Sequence, residues 1–256
     1  LLRALEAEPD RWNTSSLRMM ISSGAMFTTQ VKRDLIEHIP ELAIADVLGS
    51  TEGGMGQSIM TKDTPASETA KFMLLPTSKV LLPDSSREVT PGSGEVGMVA
   101  QSGMVPLGYY KDPKKSAGTF KEIDGKRYAF PGDMATVAAD GSINLLGRGS
   151  NCINTGGEKV FPEEVEEALK LHDAVEDALV FGLDDERFGS RVAGVVSLEK
   201  TKSAAAEDIV SATRALLASY KLPKELIVVP KVPRAPNGKA DYKAAKQLLM
   251  DSRSTA

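Results

Sequence analysis

Three short polar segments carry residue types from which chemistry on a phosphorylated ligand can be built. The first, Leu48-Gly49-Ser50-Thr51-Glu52-Gly53-Gly54, follows the apolar run AIADVL. A hydroxyl beside a carboxylate at the carboxyl end of a strand stands where open α/β sheets bind ligands, and the pair can serve a phosphate and its Mg²⁺. The same residues also read as a Gly-rich turn with a capping hydroxyl. The second segment is Tyr128-Ala129-Phe130-Pro131-Gly132-Asp133, with Gly147-Arg148-Gly149 downstream. A carboxylate accepts two ribose hydroxyls and a guanidinium donates to ribose or phosphate oxygens, although Pro-Gly-Asp alone is an ordinary turn. The third, Pro233-Arg234-Ala235-Pro236-Asn237-Gly238-Lys239, is stiffened by its prolines, and Gly238 lets its backbone approach a ligand. Its lysine either meets an anion or is simply solvated. Neither a Walker loop nor a GxGxxG fingerprint occurs.

Apolar patterning shows which elements must hold these segments. LRMMIS and AIADVL read as short buried strands, joined by a helix that starts at a Thr28 cap and runs through Val31, Leu35 and Ile39. The runs FMLL, KVLL, VGMVA, ATVAA and INLL then alternate with Pro-Gly, Asp124-Gly125 and Asp140-Gly141 turns, as in a small β-barrel-like subdomain. After Gly147 the pattern becomes α+β. Pro162 takes a first helical position, with Glu163 and Glu164 suited to the helix dipole. Next come ALVFGL, RVAGVVSL, a helix over 207–219, LIVV and a helix over 241–250. Ile209, Thr213, Leu216 and Leu217 share a face, as do Tyr242, Ala245 and Leu249, in the manner of core stripes. The expected fold is α/β followed by α+β. Residues 1–147 close a large domain, with 70–147 its β-rich part, and 148–256 form a smaller one.

Composition narrows the function. The 256 residues are 41% hydrophobic and 26% charged, enough to bury a core and unlike a disordered, collagenous or coiled-coil chain. A net charge of −4 gives no basic footprint for nucleic acid. No apolar run reaches the roughly 20 residues of a transmembrane helix, and LLRALEAEPDRW lacks the layout of a signal peptide, which points to the cytoplasm. Cys152 alone excludes an internal disulfide, and with only His38 and His172 a zinc site would need mostly carboxylates.

In order along the chain, LGSTE, GEVGMVAQSGMVPLGYYKDPKKSAGTF, YAFPGD, GRGSNCINTGGEKVFPEEVEEAL and PRAPNGK resemble successive motifs of the adenylate-forming superfamily, which contains acyl-CoA synthetases, luciferases and peptide-synthetase adenylation domains. GRGSNCINTGGEKVFPEEVE looks most like actinobacterial fatty-acyl and steroid side-chain acyl-CoA synthetases. The resemblance implies an ATP-dependent acid–CoA ligase that makes an acyl adenylate and then a thioester with coenzyme A, on a long-chain or bulky acid. It implies that Gly49 and Thr51 contact phosphate, Glu52 holds Mg²⁺, Asp133 grips the ribose and Arg148 adds a second contact. Gly24 and Ala25 match the adenine-side segment. Lys239 would bridge carboxylate and α-phosphate oxygens. A small mobile domain would then turn about a hinge at Ser150, with Gly157 lining the pantetheine path and Lys159 meeting the nucleotide of coenzyme A. The exposed Lys239 is also an expected target of a lysine acetyltransferase.

The departures from the family pattern are informative. Leu48 stands where the family has an aromatic residue, and Ser150 where its hinge carries a charge. The family's Ser/Thr/Gly-rich phosphate loop, normally upstream, is not in these residues, so the chain reads as a C-terminal half that is inactive alone. Gly53, Gly54 and Gly56 leave room for a bulky acyl group or simply serve a turn. Alternatives are an acyl-AMP ligase delivering to a carrier protein and a non-catalytic interaction module.

Overall fold

The computed structural model describes residues 1–24, 27–64, 70–82 and 86–255 and divides into two compact units, Leu1–Leu145 and Leu146–Ala256. In the first, α1 (Leu2–Ala7) precedes the expected strand, helix and strand: β1 (Met19–Ser23), α2 (Thr29–His38) and β2 (Ala43–Ser50). The Thr28 hydroxyl accepts the Val31 N–H at 3.4 Å and so starts α2 as the sequence predicts. β1 and β2 run parallel, Met19 opposite Ala43 through Ser23 opposite Val47. Leu5, Leu35, Ile36, Ile39, Leu42 and Ile44 form the core beneath them. Lys32 of α2, 3% exposed, crosses this core to pair with Asp46 of β2.

The Gly-rich turn read over residues 48–54 is the tip of a hairpin, and its last glycines open β3 (Gly53–Met60), antiparallel to β2. Then follow β4 (Lys71–Leu74), β5 (Ser78–Leu81), β6 (Gly97–Ser102), α3 (Pro113–Thr119), β7 (Phe120–Ile123), β8 (Lys126–Ala129), β9 (Asp133–Val137) and β10 (Ile143–Arg148). The β-rich region is not the barrel-like subdomain the strand run predicts. Among the described residues its strands continue one open path, β1-β2-β3-β4-β10-β9-β6-β8-β7, with β5 beside β6. β4 joins both β3 and β10, which extends the sheet where a barrel would close it.

The second unit contains β11 (Ile153–Thr155), β12 (Glu158–Val160), α4 (Pro162–Lys170), β13 (Val175–Asp185), β14 (Gly189–Leu198), α5 (Ala206–Thr213), β15 (Glu225–Val228) and α6 (Tyr242–Thr255). Its sheet has the order β12-β11-β14-β13, with β15 parallel to β14. Helices cover both faces, which is why ALVFGL in β13 is continuously apolar rather than alternating. Ala178 and Val180 pack with Val165, Leu169 and Ile209 of α4 and α5, whereas Leu179 and Phe181 pack with Ala245 and Leu249 of α6. The helix expected over 207–219 stops at Thr213, whose hydroxyl turns back to the Val210 carbonyl at 2.8 Å. Leu216 therefore leaves the predicted stripe and is 54% exposed, while Leu217 still packs on the core.

Leu169 is fully buried in that core. Leu169→Ala should lower stability by about 2–5 kcal/mol, measured by denaturant unfolding of the chain. A loss below about 1 kcal/mol would mean that α4 does not carry the packing described.

Candidate functional site

Thr51 and Glu52 are the two-residue tip of the β2–β3 hairpin, because Ser50 pairs with Gly53 and Gly49 with Gly54. A bulge between Leu48 and Gly49 shifts the register just before the tip, a device that re-aims side chains at the end of a ladder. Thr51 is exposed and Glu52 half-buried. The Ser50 hydroxyl accepts the Glu52 N–H at 3.3 Å. The Tyr109 hydroxyl donates to Glu52 Oε1. Tyr109 is itself seated against Phe120, ring centroids 5.6 Å apart, with Lys115 Nζ 4.0 Å from its ring centre. Tyr109 is a site residue that the sequence reading held only inside the segment GYYKDP and gave no role. Its hydroxyl orients the carboxylate that the resemblance assigns to Mg²⁺.

The three glycines of β3 do not open a cavity. A Cβ on Gly53 would lie 2.1 Å from Gln101 Oε1, and one on Gly56 would lie 2.9 Å from the Met73 carbonyl oxygen. Gly53 also has φ +147°. At Gly56 the space is taken by the β4 backbone, and at Gly53 by the Gln101 side chain, so neither leaves room for a bulky substrate.

Gly24 ends β1, exposed, with φ +79°. The neighbouring Ser23 hydroxyl donates to the Val47 carbonyl at 2.9 Å and ties β1 to β2. Ala25 lies outside the described residues. Asp133 opens β9 directly after Gly132 and is 8% exposed. Among the described residues no three His, Cys, Asp or Glu side chains converge as a protein-built metal cluster requires. Glu52 with the adjacent Thr51 hydroxyl fits the other mode of Mg²⁺ binding, in which one carboxylate joins substrate phosphate oxygens and water.

In the second unit, Arg148 is exposed at the end of β10 and its N–H donates to Glu163 Oε1 at 3.5 Å. A Cβ on Gly147 would meet Glu163 Oε2 at 2.1 Å, so this glycine leaves room for the carboxylate that accepts the Arg148 N–H. Ser150 is exposed within a 3-10 turn, Gly149–Asn151. Gly156 and Gly157, with φ +60° and +90°, are the centre of the β11–β12 hairpin, where positive φ at both positions selects glycine whatever passes nearby. Lys159 stands exposed on β12. Lys239 is exposed at the end of a loop that closes on itself: the Ala235 N–H donates to the Lys239 carbonyl at 2.9 Å and the Gly238 N–H to the Ala235 carbonyl at 2.8 Å. A surface recess of about 300 Å³ in this unit is bounded by Ser150, Cys152, Phe181, Tyr242 and Lys246. Of the site residues predicted from sequence it contains only Ser150.

Behind the loop, Glu166 of α4 is buried and accepts the Val180 N–H at 2.9 Å. Burial first, and then the neighbouring Glu166 carboxyl, hold the hydroxyl of Tyr242, the first residue of α6, well above the usual phenol range. Burial, opposed by the Val180 bond and reinforced by the nearby Glu163 carboxylate, pushes the Glu166 carboxyl up to about 8. Nothing in the sequence distinguishes Glu166 from its neighbours in PEEVEEALK. Only the helix face it takes does so.

Residues 164–239 match the AMP-binding enzyme C-terminal domain family. Over 238 residues, 92% of the chain, the sequence is 45% identical to 3-oxocholest-4-en-26-oate–CoA ligase of Rhodococcus rhodochrous. Over 248 residues, 97% of the chain, it is 44% identical to the medium/long-chain-fatty-acid–CoA/3-oxocholest-4-en-26-oate–CoA ligase of Mycolicibacterium smegmatis. It spans 42% and 45% of the lengths of these two proteins. Among solved structures, ATP-bound MatB from Rhodopseudomonas palustris superposes with a TM-score of 0.76 at 25% identity, over 93% of the chain and 46% of MatB. The amide bond synthetase McbA from Marinactinospora thermotolerans shares the fold, with a TM-score of 0.79 at 24% identity over 96% of the chain and 50% of McbA.

Glu166 makes stability depend on pH in a defined window. Unfolded, its carboxyl loses a proton near pH 4.5; folded, near pH 8. Between those values the folded state holds the extra proton, so the contribution is complete below about pH 4.5 and is lost as pH rises to about 8, with a slope near 1.4 kcal/mol per pH unit. Glu166→Gln keeps an oxygen for the Val180 N–H and removes the titration. The wild-type chain should lose stability relative to this variant from about pH 5 to 8, measured by urea unfolding. Parallel curves across that window would contradict the assignment.

Proposed function

We propose, for a chain that belongs to the adenylate-forming enzymes and corresponds to their C-terminal half, that the whole protein is a cytoplasmic, AMP-forming acid–CoA ligase acting on a long-chain or bulky, steroid side-chain-like carboxylic acid. The observation that carries this reading is the joint presence of Thr51, Glu52, Asp133, Arg148 and Lys239 in a sequence 45% identical to a steroid-acid–CoA ligase. For location in the cell, no helix among the described residues is long and apolar enough to cross a membrane.

The reaction joins two anions. A carboxylate oxygen attacks the α-phosphorus of ATP, the bond to pyrophosphate breaks, and an acyl adenylate forms; the thiol of coenzyme A then displaces AMP. The first step needs cationic groups and donors where charge develops. Mg²⁺, when bound, neutralises phosphate charge, and Glu52 with Tyr109 behind it would hold it. Thr51 donates its hydroxyl to phosphate and the Gly49 backbone lets that phosphate come close. Asp133 accepts the two ribose hydroxyls, and its burial restricts it to one orientation. Arg148 donates to the ribose, and Gly24 with Ala25 borders the adenine. Lys239 carries the charge that lets the carboxylate approach the α-phosphate. In the second step the small domain turns about Ser150, and the exposed β11–β12 hairpin, with Gly157 and Lys159, meets coenzyme A. Because Lys239 is exposed, it is also accessible to a lysine acetyltransferase, and acetylation would remove its charge.

In the whole enzyme, Lys239→Ala should slow acyl adenylate formation by about 10²–10³-fold, followed as acid-dependent ATP–pyrophosphate exchange, while supplied acyl adenylate is still converted to thioester. Equal losses in both half-reactions would contradict the role given to the lysine.

Ser150→Pro fixes φ near −65° and should hold the hinge in one orientation. Adenylation should persist, thioester formation should fall steeply and acyl adenylate should accumulate, whereas Ser150→Ala should change little. Normal thioester formation by the proline variant would move the hinge elsewhere.

A further inference from the structure

The loop that carries Lys239 is fastened to the sheet by one guanidinium. Arg234 Nε donates to Asp177 Oδ2 and Arg234 Nη2 to Asp177 Oδ1, each at 2.6 Å, while Nη1 donates to the Gly238 carbonyl at 3.3 Å. The last acceptor is the carbonyl immediately before Lys239. A third tie closes the loop, since Arg234 and Ala240 form an isolated antiparallel bridge on either side of it. At its far end the Asp241 N–H donates to the Pro233 carbonyl at 3.3 Å, and the Asp241 carboxylate accepts the Ala244 N–H at 3.0 Å to start α6.

Asp177 is presented by an irregularity in β13. The register with β14 shifts between Val175 and Asp177, and the Asp177 carboxylate also accepts the Ala178 N–H at 2.9 Å. A bulge turns a side chain out of the regular pleat, and such bulges recur beside functional sites for that reason. The planar fork of Arg234 uses one edge for the carboxylate and its remaining arm for the carbonyl. A lysine ammonium could meet the carboxylate at one point and could not hold both groups in fixed register.

We propose that Arg234 and Asp177 are positioning residues for the adenylation step, fixing the backbone from which Lys239 reaches its anion. The proposal rests on the ligase reading above for what Lys239 does, but the anchoring itself is a property of the second unit. Lys239 has a long side chain on an exposed loop, and ordering it in each turnover would cost conformational entropy. A prefixed backbone removes part of that cost from the barrier.

Two measurements separate anchoring from chemistry. In the 256-residue chain, amide hydrogen exchange at Ala235 and Gly238 should rise at least about tenfold in Asp177→Asn and in Arg234→Lys, with amides of Leu179 and Val195 unchanged. In the whole enzyme the same variants should slow ATP–pyrophosphate exchange by about 10–100-fold and leave thioester formation from supplied acyl adenylate within about twofold. Asp177→Glu should recover part of the adenylation rate. Unchanged loop exchange would overturn the anchor. So would exchange that rises throughout β13 and β14, or equal losses in both half-reactions, since either marks a general folding defect. Should the wild-type whole enzyme adenylate no acid at all, the ligase reading fails, and the exchange measurement still decides the anchor.

Discussion

The role proposed for Lys239 asks that its backbone be held, and the loop that carries it is tied to the sheet by the Arg234 fork on Asp177. β13 is fixed by its long antiparallel pairing with β14 and by helices on both faces, so a carboxylate projecting from it is a rigid anchor. Glu166 ties α4 to β13 by accepting the Val180 N–H with its buried carboxyl. A buried acid of this kind keeps its proton at neutral pH, which spares the core an uncompensated charge.

The first unit solves the same problem with backbone. Thr51 and Glu52 sit at the tip of a hairpin whose second strand approaches β4 so closely at Gly56 that a side chain there would push against the Met73 carbonyl. Tyr109, itself wedged against Phe120, then fixes the direction of the Glu52 carboxylate. In both units a charged group is carried on a turn, and a side chain distant in sequence, Tyr109 in one and Asp177 in the other, bonds that turn.

Much of this was legible in the sequence where the signal is local. The Thr28 cap, Pro162 at the start of α4, the strands of β13 and β14 and the motif residues themselves depend on neighbours within a few positions. The failures have a common cause. β3 gave no strand signal because glycine has low strand propensity, and only the approach of β4 accounts for Gly56. The barrel was inferred from strand texture, whereas closure depends on which edges pair. The last helix turn around Leu216 was lost to a hydroxyl bonding its own backbone. Tyr109, Glu166 and Asp177 were invisible for the same reason: each acts on a residue distant in sequence, Asp177 on Arg234 at a separation of 57 residues.

The proposed function gives Glu52 and Lys239 each a part in the adenylation step of the whole enzyme. A double-mutant cycle in the whole enzyme tests it, with Glu52→Gln, Lys239→Ala and the double variant compared by acid-dependent ATP–pyrophosphate exchange. Groups that act as one assembly are non-additive, so the double variant should be little slower than the worse single variant. Rate losses that multiply to within about twofold would show that the two residues act independently and would contradict the account.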